Sequence, residues 1–539
     1  MHHVTANRAP LTPLDFIPRS LQAFRDRPAV FYGESVTTYG QFAARIDALA
    51  RALRDLGVGP GDRVAVLLPN IPPMLEAHFG VPRLGALLVA INTRLAPGEI
   101  HYILSHSGAK VLIVDTELAP LVKNHLHELP LLQTVVHYVD AGAKGETWTP
   151  TGPEYEAFLR GASPEPVDYV LEDEDHPISI NYTSGTTGNP KGVVYSHRGA
   201  ALNSYGEIMA TQLTPCSVYL WTLPMFHCNG WCFPWAVTAA GGAHVCLRNV
   251  DPEVIYQEID RRGLTHLCGA PVVLRAIAAK APRPDYRFPR EVQIVTAGAP
   301  PSPTLIGQIE GMGSRITHVY GLTEVYGPFT FCDWHPEWDV LGPEDRAKYK
   351  ARQGVPYVPA GQVRVVDDEM NDVPADGTTM GEVVLRGNGV MVEYYRAPEA
   401  TAEAFRGGWF HSGDVAVLHP NGYIELKDRA KDIVISGGEN ISTIEVENTI
   451  YLHPAVAEVA VIAAPDDRWG EVPKAFISLK PGMSAAADEI VDFCKQHLAK
   501  FKCPKAVEFR DLPKTSTGKI RKNVLREKEW EGVENRIRG

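Results

Sequence analysis

The segment Tyr182-Thr183-Ser184-Gly185-Thr186-Thr187-Gly188-Asn189-Pro190-Lys191-Gly192 follows directly on the apolar strand candidate Ile178-Ser179-Ile180 and Asn181. Its hydroxyls, glycines and single lysine suit a loop wrapped around a polyphosphate, because glycine lets backbone N–H groups come close to an anion. A Walker A loop needs G-x4-G-K-[ST], whereas here Pro190 stands five residues after Gly185 and Gly192 follows Lys191. The segment is therefore not a P-loop of the kinase type. A Ser/Thr/Gly-rich surface turn is the plain alternative, but so long a specific string is improbable from composition alone.

Around this loop, apolar β-branched runs alternate with helical stretches. VAVLL at 64–68, VLIV at 111–114, ISI at 178–180 and VQIV at 292–295 read as strands, and Leu75 to Leu87 and Asp251 to Arg262 as helices. Asp251-Pro252 opens the second helix with a good cap and a good first-turn residue. This is the pattern of α/β layers. From Gly361 to Ile424 the texture becomes short strands, QVRVVD, GEVVLRG and GYIEL, separated by Asp-Gly, Gly-Gly and Asn-Gly turns. After Lys427-Asp428 the α/β alternation returns, with IVISG, a helix from Ser442 to His453, VAEVAVIAAP, FISLK and a helix from Ala485 to Leu498. The expected fold class is α/β: a large N-terminal domain (1–428) of layered α/β subdomains with a β-rich module, then a small α+β C-terminal domain (429–539).

The 539 residues exceed what one core usually organises, and the net charge of −12 argues against a nucleic-acid surface. The opening MHHVTANRAP has no basic segment followed by an apolar stretch, so a secretory signal is not expected and a cytoplasmic location is the simplest expectation. Ile208 to Leu247 lacks Asp, Glu, Lys and Arg, but its prolines and glycines suit a buried site better than a membrane span. Eight cysteines show no paired CxxC spacing and read as reduced thiols. His227, Cys228, Cys232 and His244 can be imagined as zinc ligands, against the plainer reading of buried thiols beside a pocket.

YTSGTTGNPKG resembles the phosphate-loop signature of the adenylate-forming superfamily, which contains acyl-CoA synthetases, luciferases and peptide-synthetase adenylation domains. Further signatures follow in that family's order: Tyr320-Gly321-Leu322-Thr323-Glu324, Ser412-Gly413-Asp414, Lys427-Asp428-Arg429-Ala430-Lys431-Asp432, Ser436-Gly437-Gly438-Glu439-Asn440 and Pro513-Lys514-Thr515-Ser516-Thr517-Gly518-Lys519. Together they extend across most of the chain. The resemblance implies an acid:coenzyme A ligase that makes an acyl-adenylate from a small carboxylic acid and ATP, then passes the acyl group to a thiol.

Residue by residue, the resemblance assigns nucleotide contacts to Thr183, Ser184, Gly185, Thr186, Thr187 and Lys191, to Gly298, Ala299, Pro300, His318, Tyr320, Gly321 and Thr323, and to Asp414, Arg429 and Lys519. Glu324, with a hydroxyl from Thr183, suits a hard, partly hydrated Mg2+ on the phosphates; a helix-capping carboxylate is the alternative. Tyr320 offers a flat face for adenine, though a tyrosine at a strand end is often core. Asp414 resembles the carboxylate that takes both ribose hydroxyls, and otherwise reads as an Asx-turn. Arg429 brings a fixed fork of donors, and otherwise a solvated guanidinium. A lysine at 519, between carboxylate and α-phosphate, would neutralise charge developing in the transition state; a basic tail is the bland reading. Lys431 stands at the family's hinge between two catalytic poses, with Gly437, Gly438 and Glu439 near the coenzyme, and otherwise lies in a charged linker.

Free coenzyme A is the expected acceptor, since Lys519 lies near the end of the sequence. A carrier-protein thiol and a non-catalytic nucleotide-binding regulator are the alternatives. The acyl pocket is expected in Pro224-Met225-Phe226-His227-Cys228-Asn229-Gly230-Trp231-Cys232, with Gly298, Val325, Gly327 and Pro328. His227 seats the carboxylate in this reading, or is a satisfied core histidine. Trp231 is a far wall or a swinging gate. Gly321, where acetyl-CoA synthetases carry tryptophan, leaves room for a longer chain. The run PMFHCNGWCFPW resembles medium-chain and methylmercaptopropionate ligases, which points to a short or medium acid such as 3-(methylthio)propanoate, or else a longer fatty acid. The family resemblance also implies a homodimer.

Overall fold

A computed structural model describes residues 7–183, 189–298, 303–436, 439–466, 468–514 and 520–531. The central layers are two sheets that share one bed of helices. The seven-stranded sheet runs, from edge to edge, Glu393–Tyr394, Gly192–Ser196, Pro177–Tyr182, Leu87–Ala90, Arg63–Leu67, Val111–Asp115 and Thr134–Tyr138. Its last five members pair in parallel, and Gly192–Ser196 turns back antiparallel on Pro177–Tyr182. The nine-stranded sheet has Ser314–Leu322, Val292–Thr296, His266–Cys268, Val218–Leu220 and Ala243–Val245 as its parallel centre.

Between these sheets lie the helices Tyr39–Asp55, Pro72–Gly80, His197–Thr211 and Phe233–Ala240. One continuous core joins them to Val64, Val66, Leu88 and Ile113 on one side and to Tyr219, Cys268, Val295 and Val319 on the other. Tyr39–Asp55 starts at a capping box, in which Thr38 and Gln41 satisfy each other's backbone N–H groups. The outer faces carry separate cores, Leu220, Ile294 and Ile316 under the helices Pro252–Arg262 and Pro271–Ala279, and Leu67, Val89 and Leu112 under Pro97–Ser107. Alternation along each strand thus buries both faces, the reason these runs read as continuous apolar sequence. Arg248 ties the two sheets together, with Nη1 2.9 Å from Asp115 Oδ2 and 2.6 Å from Asp140 Oδ2.

The β-rich module is an antiparallel sheet of Gln362–Val366, Met380–Arg386, Phe410–Leu418 and Ile424–Arg429. The C-terminal domain has its own sheet, built on the long hairpin Val456–Asp466 and Gly470–Leu479, with Val434–Ser436, Glu439–Ile441 and Ala506–Phe509. It also has its own core around Val461, Ile477 and Cys494. A large N-terminal α/β domain is therefore followed by a small one, as expected.

One expected helix needs correction. The stretch Leu75 to Leu87 is not one helix: the helix is Pro72–Gly80, a short 3-10 turn occupies Pro82–Leu84, and Leu87 already opens a strand. Pro82 cannot continue the hydrogen-bond ladder, and Gly85, at φ +68°, turns the chain away. The uncharged stretch 208–247 contains the helix Phe233–Ala240, and no helix among the described residues is long and apolar enough to cross a membrane.

Candidate active site

The functional segments gather at the carboxyl ends of strands, the usual place for a ligand in an open parallel sheet. Thr183 follows Tyr182 at the end of its strand, and Lys191 precedes the returning strand Gly192–Ser196. The stem is closed by Thr183 N–H donating to Lys191 O at 2.9 Å and Lys191 N–H donating to Thr183 Oγ1 at 3.1 Å. The loop is thus carried on an antiparallel hairpin, whereas a Walker A loop leads from a strand into a helix. Ser184, Gly185, Thr186, Thr187 and Gly188 lie outside the described residues.

Strand Ser314–Leu322 carries His318, Tyr320 and Gly321, and a 3-10 turn at Thr323–Val325 presents Glu324. Burial pushes the Glu324 carboxyl above the usual range, and the Tyr394 hydroxyl donates to it at 2.8 Å, partly offsetting that shift. The ammonium of Lys191 lies 4.6 Å from the centre of the same Tyr394 ring. Thr183, Lys191, Tyr394 and Glu324 therefore share one corner. A half-buried carboxylate there, unpaired with any Lys or Arg among the described contacts, together with a threonine hydroxyl, makes an oxygen donor set of the kind a hard divalent cation prefers.

On the facing module, Asp414 and Arg429 are register partners on the strands Phe410–Leu418 and Ile424–Arg429. Tyr320 donates its hydroxyl to Asp414 at 2.9 Å, and Arg429 Nε stands 3.3 Å from the other Asp414 oxygen. Each carboxylate oxygen keeps a lone pair for a further donor. His318 is buried and gives Nδ1–H to Ala351 O at 2.9 Å, and burial lowers its pKa to about 4. It is therefore a neutral imidazole on the strand that carries Tyr320.

Gly298, at φ +88°, has open space where a side chain would stand, so its backbone conformation rather than crowding calls for glycine. Ala299 and Pro300 lie outside the described residues. His227 precedes the turn Cys228–Trp231, and the Cys228 thiol reaches Thr323 Oγ1 at 3.7 Å. Trp231 is buried with φ +55°, and Asn203 Nδ2 holds its carbonyl at 3.4 Å. Its indole lies on Gly327, where an added Cβ would come within 2.5 Å of it. Val325 and Pro328 are buried beside it. Gly321 carries a firmer constraint than an open pocket: a Cβ there would stand 1.7 Å from Gly327 O, so this backbone admits no side chain at all.

The four imagined zinc ligands do not form a group spaced for a metal among the described residues. His244 uses Nδ1 on Trp221 and Nε2 on Thr238, and burial raises both the Cys228 and Cys232 thiols. Among the described residues, the group spaced for a metal is His101, His125 and Glu128, outside these segments.

Arg429 ends the module, and Lys431 lies half-buried two residues on, its pKa lowered to about 8 by burial and by Arg429 and Arg526. The joint is fastened by Asp428, whose Oδ2 accepts from Thr443 N–H at 2.6 Å, and by an Asp432–Arg526 ion pair. Glu439 is exposed at the start of a strand. Gly437, Gly438 and Lys519 lie outside the described residues. The sequence reading missed Tyr394, Tyr195, whose hydroxyl holds Thr323 O at 2.6 Å, and Asn203. None sits in a distinctive local pattern.

The AMP-binding enzyme family matches residues 17–395, and the AMP-binding enzyme C-terminal domain matches 445–519. The chain is 47% identical to acetate–CoA ligase CCL3 of Humulus lupulus and 46% identical to the peroxisomal acetate/butyrate–CoA ligase AAE7 of Arabidopsis thaliana, over 97% of this chain and 95% of each relative. It is 44% identical to 4-hydroxybutyrate–CoA ligase 2 of Metallosphaera sedula, over 96% of this chain and 94% of the relative. The fold matches the anthranilate CoA ligase AuaEII in complex with anthranoyl-AMP at a TM-score of 0.84 and 29% identity, over 97% of this chain and 98% of that one. With the sheets, the Thr183–Lys191 hairpin and the Tyr320–Asp414–Arg429 cluster in place, this chain belongs to the AMP-binding enzyme family and is an ATP-dependent acid:CoA ligase.

Proposed function

We propose that the acid is of short or medium length, with 3-(methylthio)propanoate among the candidates, and that residues 1–428 bind acid and ATP while 429–539 form the mobile domain. The observation that carries the length is Trp231: left-handed backbone, a carbonyl held by Asn203 and an indole seated on Gly327 support a fixed wall over a swinging gate. Relatives named for acetate and butyrate support the same range.

In this reading Tyr320 lies against adenine, Asp414 accepts the ribose hydroxyls and Arg429 pairs with Asp414. The hairpin from Thr183 to Lys191 wraps the phosphates through Ser184, Gly185, Thr186 and Thr187, with Lys191 supplying positive charge. Gly298, Ala299, Pro300, Gly321 and Thr323 border the nucleotide and acid, and His318 stays neutral behind them. Thr183 and Glu324 would hold Mg2+, which when bound offsets phosphate charge. His227 orients the carboxylate, and Lys519 stabilises the charge that builds as carboxylate and α-phosphate meet. Rotation about Lys431 then exchanges Lys519 for the coenzyme-facing loop Gly437, Gly438 and Glu439. A cytoplasmic homodimer completes the proposal.

The test is pyrophosphate release from ATP, Mg2+ and coenzyme A with propionate, butyrate, 3-(methylthio)propanoate, octanoate, palmitate and benzoate. A maximum among the three shortest acids is expected. A maximum at palmitate would make Trp231 a gate and end the short-acid reading. Each methylene is worth only about 1–3 kcal/mol of discrimination, so neighbouring acids should share turnover.

A further inference from the structure

The helix His197–Thr211 faces the segment around Trp231 with two polar side chains one turn apart. Asn203 is fully engaged: its Nδ2 donates to Trp231 O, and its Oδ1 accepts from the Tyr357 hydroxyl. Glu207 is not. It is 0% exposed, and neither carboxyl oxygen has a hydrogen-bond partner among the described residues. It is set among Tyr219, Cys232, Cys268 and Tyr357, groups whose ionisation its own charge would oppose, and no cation acts on it. Asn229, two residues before Trp231, is also fully buried with both side-chain amide atoms unpartnered among the described residues, although its backbone N–H reaches Asn181 Oδ1 at 3.1 Å.

A slot meant only for hydrocarbon would carry Leu or Met at these positions, because an unpaired buried polar group costs more than it returns. Glu207 and Asn229 instead leave four buried polar atoms without partners among the described residues, and the hydroxyl of Tyr219, which feels the charge of Glu207, is a fifth. Unsatisfied groups in such number call for a molecule that supplies the missing bonds. Burial also raises the carboxyl of Glu207 far above its usual range. In its protonated form it offers one donor and an acceptor, and the Asn229 amide offers both kinds as well. A hydroxyl matches that pairing.

We propose that Glu207 is a specificity residue of the acyl site, which hydrogen-bonds a hydroxyl toward the far end of the acyl chain with Asn229 as a second polar contact, so that short hydroxy acids are preferred over the plain acids of equal length. The inference rests on the short-acid reading above and adds the chemistry of the chain's far end.

The experiment compares kcat/KM for two matched pairs, 4-hydroxybutyrate with butyrate and 5-hydroxypentanoate with pentanoate, in the wild-type enzyme and in Glu207→Leu and Glu207→Gln. In the wild type at least one pair should favour the hydroxy acid by about tenfold or more. Glu207→Leu should erase that ratio while the plain acid stays within about threefold of wild type or improves, because only the hydroxyl loses its partner. Glu207→Gln, which keeps a donor and an acceptor, should retain part of the preference. If Glu207→Leu fails to fold, Glu207→Met, of similar length and without a hydrogen-bonding pair, decides, and a hydroxy-to-plain ratio equal to that of the wild type overturns the proposal. Turnover of the plain acids at a flat ratio in all three proteins also overturns it, and leaves a buried water as the partner of Glu207. An enzyme that uses palmitate and neither member of either pair would sink the short-acid reading itself, and this inference with it.

Discussion

Gly321 shows how little freedom a single position can have. With Gly327 O at 1.7 Å from where its Cβ would stand, Gly321→Ala must push two strands apart at the bulge between Tyr320 and Gly321. We expect a loss of about 2–4 kcal/mol, read as a fall in Tm, and reduced turnover of every acid with no shift toward acetate. Retained stability with a switch to acetate would show that the strands yield easily. Glu207 makes a prediction of opposite character. Its folded pKa lies well above the unfolded value near 4.5, so the folded state holds the proton longer. Its contribution to stability is present in full below pH 4.5 and is lost as pH rises through the folded pKa. The Tm of Glu207→Gln relative to wild type should therefore climb between pH 5 and 8, and a constant difference would show that Glu207 titrates normally.

At the scale of elements, the Thr183–Lys191 hairpin and the 3-10 turn meet through a residue that no motif announces. Tyr394 belongs to the edge strand Glu393–Tyr394, far along the chain from both, yet its hydroxyl favours the ionised form of Glu324. In Tyr394→Phe the carboxyl should hold its proton to higher pH, so the acid limb of a kcat/KM profile for ATP should move upward. An unmoved limb would remove Glu324 from the titrating groups of the reaction. The same contrast marks what the sequence could disclose. Asp414 and Glu324 stand in contiguous strings, and the helix Pro252–Arg262 begins and ends where Asp251 and Gly263 place it. The helix Pro72–Gly80 was misjudged because it is buried all round, so apolar residues continue through Pro82–Leu84 into the next strand without a change of texture. Tyr394, Tyr195 and Asn203 act through contacts 70, 128 and 28 residues distant in sequence, and such pairings leave no local trace.

For the whole molecule, the alternation of strands and helices announced layered α/β organisation, but not that two sheets would share one layer of helices. Sharing is a matter of which faces meet, and runs buried on both sides do not say against what. Arg248 bridges the sheets from within, with 8% of its side chain exposed, against Asp115 and Asp140, which are nearly fully buried. Arg248→Ala would leave those carboxylates without their cation, and we expect it to cost about 3–5 kcal/mol, measured by denaturant unfolding. A loss under 1 kcal/mol would mean that the sheets are joined by apolar packing alone. The shared helices carry one more consequence. A fragment holding only one of the two sheets would take with it helices whose other side had lost its cover, or would leave them behind and bare its own face. Neither sheet is a self-sufficient piece, and their strands interleave along the chain, so cutting after Thr211 should yield fragments that recover structure only when mixed, whereas the C-terminal domain, with a core of its own, could be severed and leave the rest standing.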